Sequence, residues 1–266
     1  SCPFTNKPWE WLTMLEKEQS LTACHGAIAE AMSRTAYADA MIPVYEAYGD
    51  DPDIAALYID SQIMLTPWQI YDVDKRAPNP EAREREIQAA LERSLAGTGA
   101  DHIGVLHFDI HVQEMSPTPE KALPSARRLQ ELAPPDAGHL QHMPSHIHAL
   151  VGDFDEATRC SRLSMATDKR FMANLHRTPF YRTLVCHDVH MLMFAGIQTG
   201  NLADAADAAI VMAEILENVL VHTPVTHMDM TLEGYYATIA YVDVRFGRWQ
   251  QIAGREFTGD PTFMPV

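Results

Sequence analysis

Three short stretches of this chain spell the same turn. Residues 152–157 read GDFDEA, 200–205 read GNLADA and 247–252 read GRWQQI. Each sets a glycine, a polar residue, an apolar or aromatic residue, two variable positions, then a small or apolar residue. A glycine so placed ends one helix, and the residues after it begin a partner that packs back against it. The remaining punctuation is equally brief: Gly49-Asp50-Asp51-Pro52, Pro78-Asn79-Pro80, Ser116-Pro117-Thr118-Pro119 and Pro134-Pro135. Between these marks lie segments of helical length, rich in Ala, Leu, Met, Glu and Gln, and few of them alternate as strands do. The pattern predicts an all-α chain of helical hairpins.

The hairpins recur at a spacing that suggests internal repeats. The turn at Gly152 resembles the inter-helix turn of a tetratricopeptide repeat. Ala122, Ala126, Leu129 and Pro134 match the small, small, apolar, proline spacing of that repeat's second helix, and Ala122 lies 35 residues before Ala157, close to the repeat's own period. The next steps are longer, 48 residues from Gly152 to Gly200 and 47 from Gly200 to Gly247, as insertions would make them. The expected architecture is a tetratricopeptide-like α-solenoid, a superhelix of stacked and enlarged hairpins, with residues 1–266 forming one domain. A generic helical bundle is the other reading.

Bulk properties narrow the partners. With 36 acidic against 20 basic residues the formal charge is −16, which disfavours nucleic acid and anionic membranes, since phosphate binding needs a concentrated basic face. No apolar run approaches the roughly 20 residues that span a bilayer. The opening SCPFTNKPWEW has neither the basic region nor the apolar run of a signal peptide. Cys2, Cys24, Cys160 and Cys186 stand far apart and read as reduced thiols, so a cytoplasmic setting is expected.

The histidines are placed less evenly than a solvated surface would place them; most of the thirteen fall between residues 102 and 190. Counted back from the turn glycines they come into register. His142 and His190 each lie ten residues before a glycine, and His139 and His187 each lie thirteen before. In the preceding hairpin Pro117 takes the glycine's place; His107 lies ten before it, and His111 lies six before it, as His146 lies six before Gly152. Spacing within helices converges too. His107, His111 and Glu114 are i, i+4, i+7; His142 and His146 are i, i+4; His187 and His190 are i, i+3. Neighbouring helices pack with axes about 8–10 Å apart, so imidazoles from adjacent repeats can meet around one ion. Neutral imidazole suits zinc, copper, iron or nickel, and the expected cofactor is a copper, iron or zinc ion. The expected ligands are His107, His111, His142, His146 and His190, with Glu114, His139 and His187 as acid–base or ligand-orienting groups. Phe108, Phe180 and Tyr181 are expected as pocket wall. Structural polar packing is the competing reading, and His102 and His148 are expected to make only structural hydrogen bonds. Pro144 interrupts the segment between His142 and His146, so a regular helix is not expected there.

Several strings resemble a known group: Asn6-Lys7-Pro8-Trp9-Glu10, Tyr37-Ala38-Asp39-Ala40-Met41, Leu65-Thr66-Pro67-Trp68-Gln69, His107-Phe108-Asp109-Ile110-His111 and, most specific, the GHLQHMPSHI of residues 138–147. They are similar to bacterial and fungal proteins named only as tetratricopeptide-repeat domain proteins, and the resemblance spans essentially the whole chain. That family's pattern places histidines at His107, His111, His139, His142, His146, His187 and His190. In fungi such proteins accompany natural-product pathways, which implies enzymatic action on small molecules. Relatives usually carry a further helix with a His-Trp-Gly motif before the NKPW segment and continue beyond GRW. The resemblance therefore implies a form shortened at both ends, lacking part of the site. Apolar helix faces exposed at such ends would call for a partner subunit, a homo-oligomer.

The functional expectation is a metal-dependent enzyme with a small-molecule substrate held in a histidine-lined pocket. No nucleophile elbow, Gly-rich phosphate loop or HExxH motif is present, which leaves hydrolase, kinase and zinc-protease readings without support and favours an oxidoreductase. The rival is a non-catalytic repeat scaffold that binds a peptide or protein partner in its concave groove. The first helices offer histidines and few basic residues, which argues against capture of a peptide carboxylate.

Overall fold

A computed structural model of the chain describes residues 34–174, 179–220 and 229–254. The NKPW segment, Cys2, Cys24 and the side chain of Phe180 lie outside the described residues. What is described is helical almost throughout, and the strand content is one antiparallel pair, Tyr71–Asp72 (β1) with Ala77–Pro78 (β2), in the register Tyr71 to Pro78 and Asp72 to Ala77. No helix among the described residues is long and apolar enough to cross a membrane. The chain divides into two compact units, with the boundary between Thr118 and Pro119.

The first unit contains α1 (Arg34–Tyr48), α2 (Pro52–Ile63), the β pair, α3 (Glu84–Leu95) and α4 (Ile103–Gln113). Asp51 starts α2 by accepting a hydrogen bond from the Asp53 amide at 2.9 Å, and Pro52 fills the first helical position, where its missing N–H costs nothing. Along α3, Ile87, Ala90, Leu91 and Ser94 are buried at i, i+3, i+4, i+7, the stripe that docks a helix on a core. Ile59, Ile70, Ile87, Leu91 and Val105 form that core. His102 caps α4: its Nδ1 accepts from the Val105 amide at 3.3 Å, which leaves the proton on Nε2 to meet Asp53 at 3.0 Å.

The second unit runs through α5 (Leu123–Leu132), α6 (Gly138–His142), α7 (Pro144–Leu150), α8 (Phe154–Asn174), α9 (Pro179–Thr199), α10 (Leu202–Leu220), α11 (Asp229–Arg245) and α12 (Trp249–Gly254). The three turn glycines all adopt the left-handed conformation, with φ of 83° at Gly152, 72° at Gly200 and 66° at Gly247. After each, the next amide reaches back to the carbonyl five residues earlier: Asp153 to His148 at 2.8 Å, Asn201 to Gly196 at 2.9 Å and Arg248 to Asp243 at 2.8 Å. This is the Schellman closure of a helix C-terminus, and it needs a residue without a Cβ penalty at the glycine. Asp153 and Asn201 then cap the following helix with their side-chain oxygens. The three repeated sequence turns are thus three repeated structural turns, joining α7 to α8, α9 to α10 and α11 to α12.

Helix α9 sits at the centre of this unit. Val185, Cys186, Val189, Leu192 and Met193 are all at most 1% exposed, packed with Ala205, Ala208 and Met212 of α10 and Ile239 and Val242 of α11. A helix flanked on several sides buries most of its circumference, so a polar residue on it is conspicuous.

Candidate metal centre

Pro144 decides the local path at the most histidine-rich point. It has no N–H to continue the ladder, so the backbone breaks into two short helices, α6 ending at His142 and α7 starting at Pro144. The break keeps His142 and His146 on one side. From α9 the ring of His187 joins them. The three Nε2 atoms lie 2.8 Å (His142 to His146), 3.1 Å (His142 to His187) and 3.2 Å (His146 to His187) apart. His142 is fully buried, while His146 and His187 are partly open.

Three imidazole nitrogens cannot satisfy one another in a triangle. Each Nε2 offers a single direction, either one N–H or one lone pair, so at most one of the three edges can be a good hydrogen bond. An ion about 2.0–2.1 Å from three nitrogens, with angles of roughly 90–110° between them, would hold those nitrogens about 2.8–3.4 Å apart. The observed edges sit at that spacing. His142, His146 and His187 form a group able to hold a metal ion. The Ser145 hydroxyl, 3.5 Å from His142 Nδ1, is placed to accept from that nitrogen and keep the Nε2 lone pair aimed inward.

Behind the triangle stand two carboxyls. Asp188 of α9 and Asp168 of α8 are each 1% exposed. Asp188 Oδ1 lies 3.7 Å from His142 Nε2 and 3.3 Å from His139 Nδ1. The Ser164 hydroxyl stands between the two acids, and the Tyr181 hydroxyl donates to Asp168 Oδ1 at 3.0 Å. Burial, then the neighbouring charge of Asp188, pushes the Asp168 carboxyl up to about 7. The same burial and both acids push the Tyr181 phenol upward. Gly138 makes the arrangement possible, because a Cβ there would overlap Asp168 Oδ1.

The other expected residues are placed as follows. His139 lies beside the group, its ring centroid 5.9 Å from that of His142 and 6.2 Å from that of His187, with Asp188 on its Nδ1. His190, one helical turn beyond His187, points instead to Tyr235, with ring centroids 5.6 Å apart, and burial lowers its basicity. It is not a member of the group. His107, His111 and Glu114 belong to the first unit, on or just past α4. There His111 Nδ1 meets Glu114 Oε1 at 2.9 Å, and the rings of His107 and His111 sit edge-on at 4.6 Å. Phe108 packs on the core of the first unit. Tyr181, expected as wall, is a hydrogen-bond donor to Asp168. His148 is buried against Gln130, with 3.4 Å to its Oε1, and lies 3.5 Å from Asp153.

Register along the sequence did not point to Asp168, Asp188 or Ser164. One signal for Asp188 was present: it is the lone acid in VCHDVHMLMF, a run otherwise apolar except for the histidines. No family model, no curated protein and no solved structure matches this chain.

Proposed function

We propose that the protein is a metal-dependent enzyme whose transition-metal ion, zinc, copper or iron, is held by His142, His146 and His187. The observation that carries this reading is the triangle of Nε2 atoms at 2.8–3.2 Å, which hydrogen bonding cannot satisfy and a cation can. The ligand group has three members among the described residues. Closed structural sites usually present four protein ligands, whereas catalytic ones present three and keep a position for water or substrate. A bound ion would supply Lewis-acid chemistry or, as copper or iron, redox chemistry. His139, oriented by Asp188, is an acid–base group beside the three ligands. The partly open rings of His146 and His187 favour a small organic substrate reaching the centre from that side. The glycine turns at 152, 200 and 247, with α9 packed on α8 and α10, and α11 packed on α10, support a tetratricopeptide-like stack in the second unit. A peptide-binding scaffold has no need for convergent imidazoles beside buried acids.

Metal analysis after loading with zinc, copper or iron and gel filtration tests the reading. The expected result is a single tightly held ion per chain, lost in His142→Ala, His146→Ala and His187→Ala, and kept in His190→Ala. Absence of any retained metal from the wild-type chain would sink the proposal. Loss in His190→Ala with retention in His187→Ala would show that the register along the sequence, and not the spatial triangle, names the ligands.

A further inference from the structure

The buried acids behind the triangle present a hydrogen-bond conflict of their own. The Ser164 hydroxyl lies 3.2 Å from Asp168 Oδ2 and 3.3 Å from Asp188 Oδ2. A hydroxyl has one hydrogen, so it can donate to only one of the two. Were both acids ionised, two negative charges, each on a residue 1% exposed, would face the lone pairs of one shared oxygen. Both the charge and the lone-pair contact are costly away from water.

One proton removes the conflict, and the imidazoles of His139 and His142 beside Asp188 favour leaving the charge there and the proton on Asp168. With Asp168 protonated at Oδ2, its O–H donates to Ser164 Oγ, and the Ser164 O–H donates to Asp188 Oδ2. Tyr181 donates to Asp168 Oδ1, and His139 Nδ1–H donates to Asp188 Oδ1 at 3.3 Å. Every polar atom in the chain from Tyr181 to His139 is then satisfied, and the pair keeps one negative charge, next to His142. Among the titratable groups around Asp168, Asp188, Tyr181 and His139 act on it most strongly. The direction of its titration, up to about 7, agrees with the hydrogen-bond accounting.

We infer that Asp168, Ser164 and Asp188 form a proton-holding counter-charge for the three-histidine site, so that binding of a divalent cation releases the Asp168 proton to solvent. The inference rests on the metal reading above and adds to it the residue that senses the ion. A cation at the three imidazoles lies next to Asp188 and offsets the second negative charge that Asp168 would create. The proton is then no longer needed, and one leaves to bulk water for each ion bound. Asp168 is thus a positioning residue that acts through Ser164 and Asp188. Its neighbour Gly138, which leaves room for the carboxyl, belongs to the same device.

Two measurements on the full chain test it. The first is calorimetric titration of the metal-free chain with zinc chloride near pH 6, in buffers of different ionisation enthalpy, which counts the protons released. Wild type should release about one proton more than Asp168→Asn. The asparagine keeps the shape of the protonated acid and its donor to Ser164, so the variant is expected to fold and bind zinc. The second is infrared difference spectroscopy of the wild-type chain alone. The carbonyl stretch of a protonated carboxylic acid should be present without zinc and bleach as zinc is added. Zinc binding with equal proton release in the two chains, or without loss of that band, would overturn the inference and leave the metal reading standing. No zinc binding by wild type would overturn both. If the asparagine variant fails to fold, the infrared band of the wild-type chain decides.

Discussion

At the residue scale the site is a matter of which atoms can be satisfied by what. His142, His146 and His187 present three nitrogens spaced so that a shared cation could be held by all of them, while Asp168 and Asp188 present oxygens that a shared proton satisfies. The second point predicts a pH dependence for the metal-free chain. The Asp168 carboxyl is raised to about 7 by burial and by Asp188. Between about pH 4 and pH 7 the folded chain therefore holds a proton that the unfolded chain has already lost. This contribution to stability is complete below the unfolded value and is lost as pH rises through the folded one. Thermal melting of the metal-free chain should accordingly show falling stability across that window. In Asp168→Asn the component should disappear, and an unchanged slope in the variant would assign the dependence to other groups. The histidines were legible in the sequence because they recur at counted distances from glycines. Asp168 was not, because an aspartate on a polar helix resembles any solvated surface residue until packing shows that it faces inward. Asp188 left only the trace of a lone acid in an apolar run.

At the element scale the repeated turns carry the architecture. An added Cβ at Gly152 meets nothing within 4 Å, so replacing it by alanine tests backbone conformation with no steric contribution. With φ at 83°, Gly152→Ala should cost about 1–2 kcal/mol in denaturant unfolding. It should leave zinc stoichiometry unchanged, because the turn lies past the end of α7, beyond the ligands. A cost near zero would mean that the turn relaxes to another closure. These turns were readable in advance since glycine, a polar cap and an apolar docking residue are local requirements. The break at Pro144 was readable for the same reason. What local pattern did not show was its consequence: two helices of 5 and 7 residues that still present His142 and His146 to one point. The short β pair at Tyr71–Asp72 and Ala77–Pro78 also lacked a signal; two residues per strand are too few for alternation to register.

At the scale of the whole molecule, an ion bound only by the folded chain adds its binding free energy to stability. With free zinc at a hundred times the dissociation constant, the gain is about 2.7 kcal/mol. Melting of wild type should rise with zinc and fall back with chelator, and His187→Ala should show neither effect. A zinc-induced rise of equal size in His187→Ala would place the ion elsewhere. The formal charge of −16 works in the same direction, since an acidic molecule concentrates cations around itself.

The amino-acid sequence by itself determined the helices, the glycine turns between them and the faces on which the histidines stand. All three follow from interactions within one turn or one hairpin. Only the tertiary structure decided that His187 and not His190 completes the triangle. The two sit about one turn apart on α9, and the packing of that helix against its neighbours sets which of them meets α6 and α7 and which meets Tyr235. The tertiary structure alone also buried Asp168 and Asp188 around one serine hydroxyl. Residues 20 apart on two helices become partners only when the helices dock, and burial is what turns two ordinary acids into a pair that must share a proton.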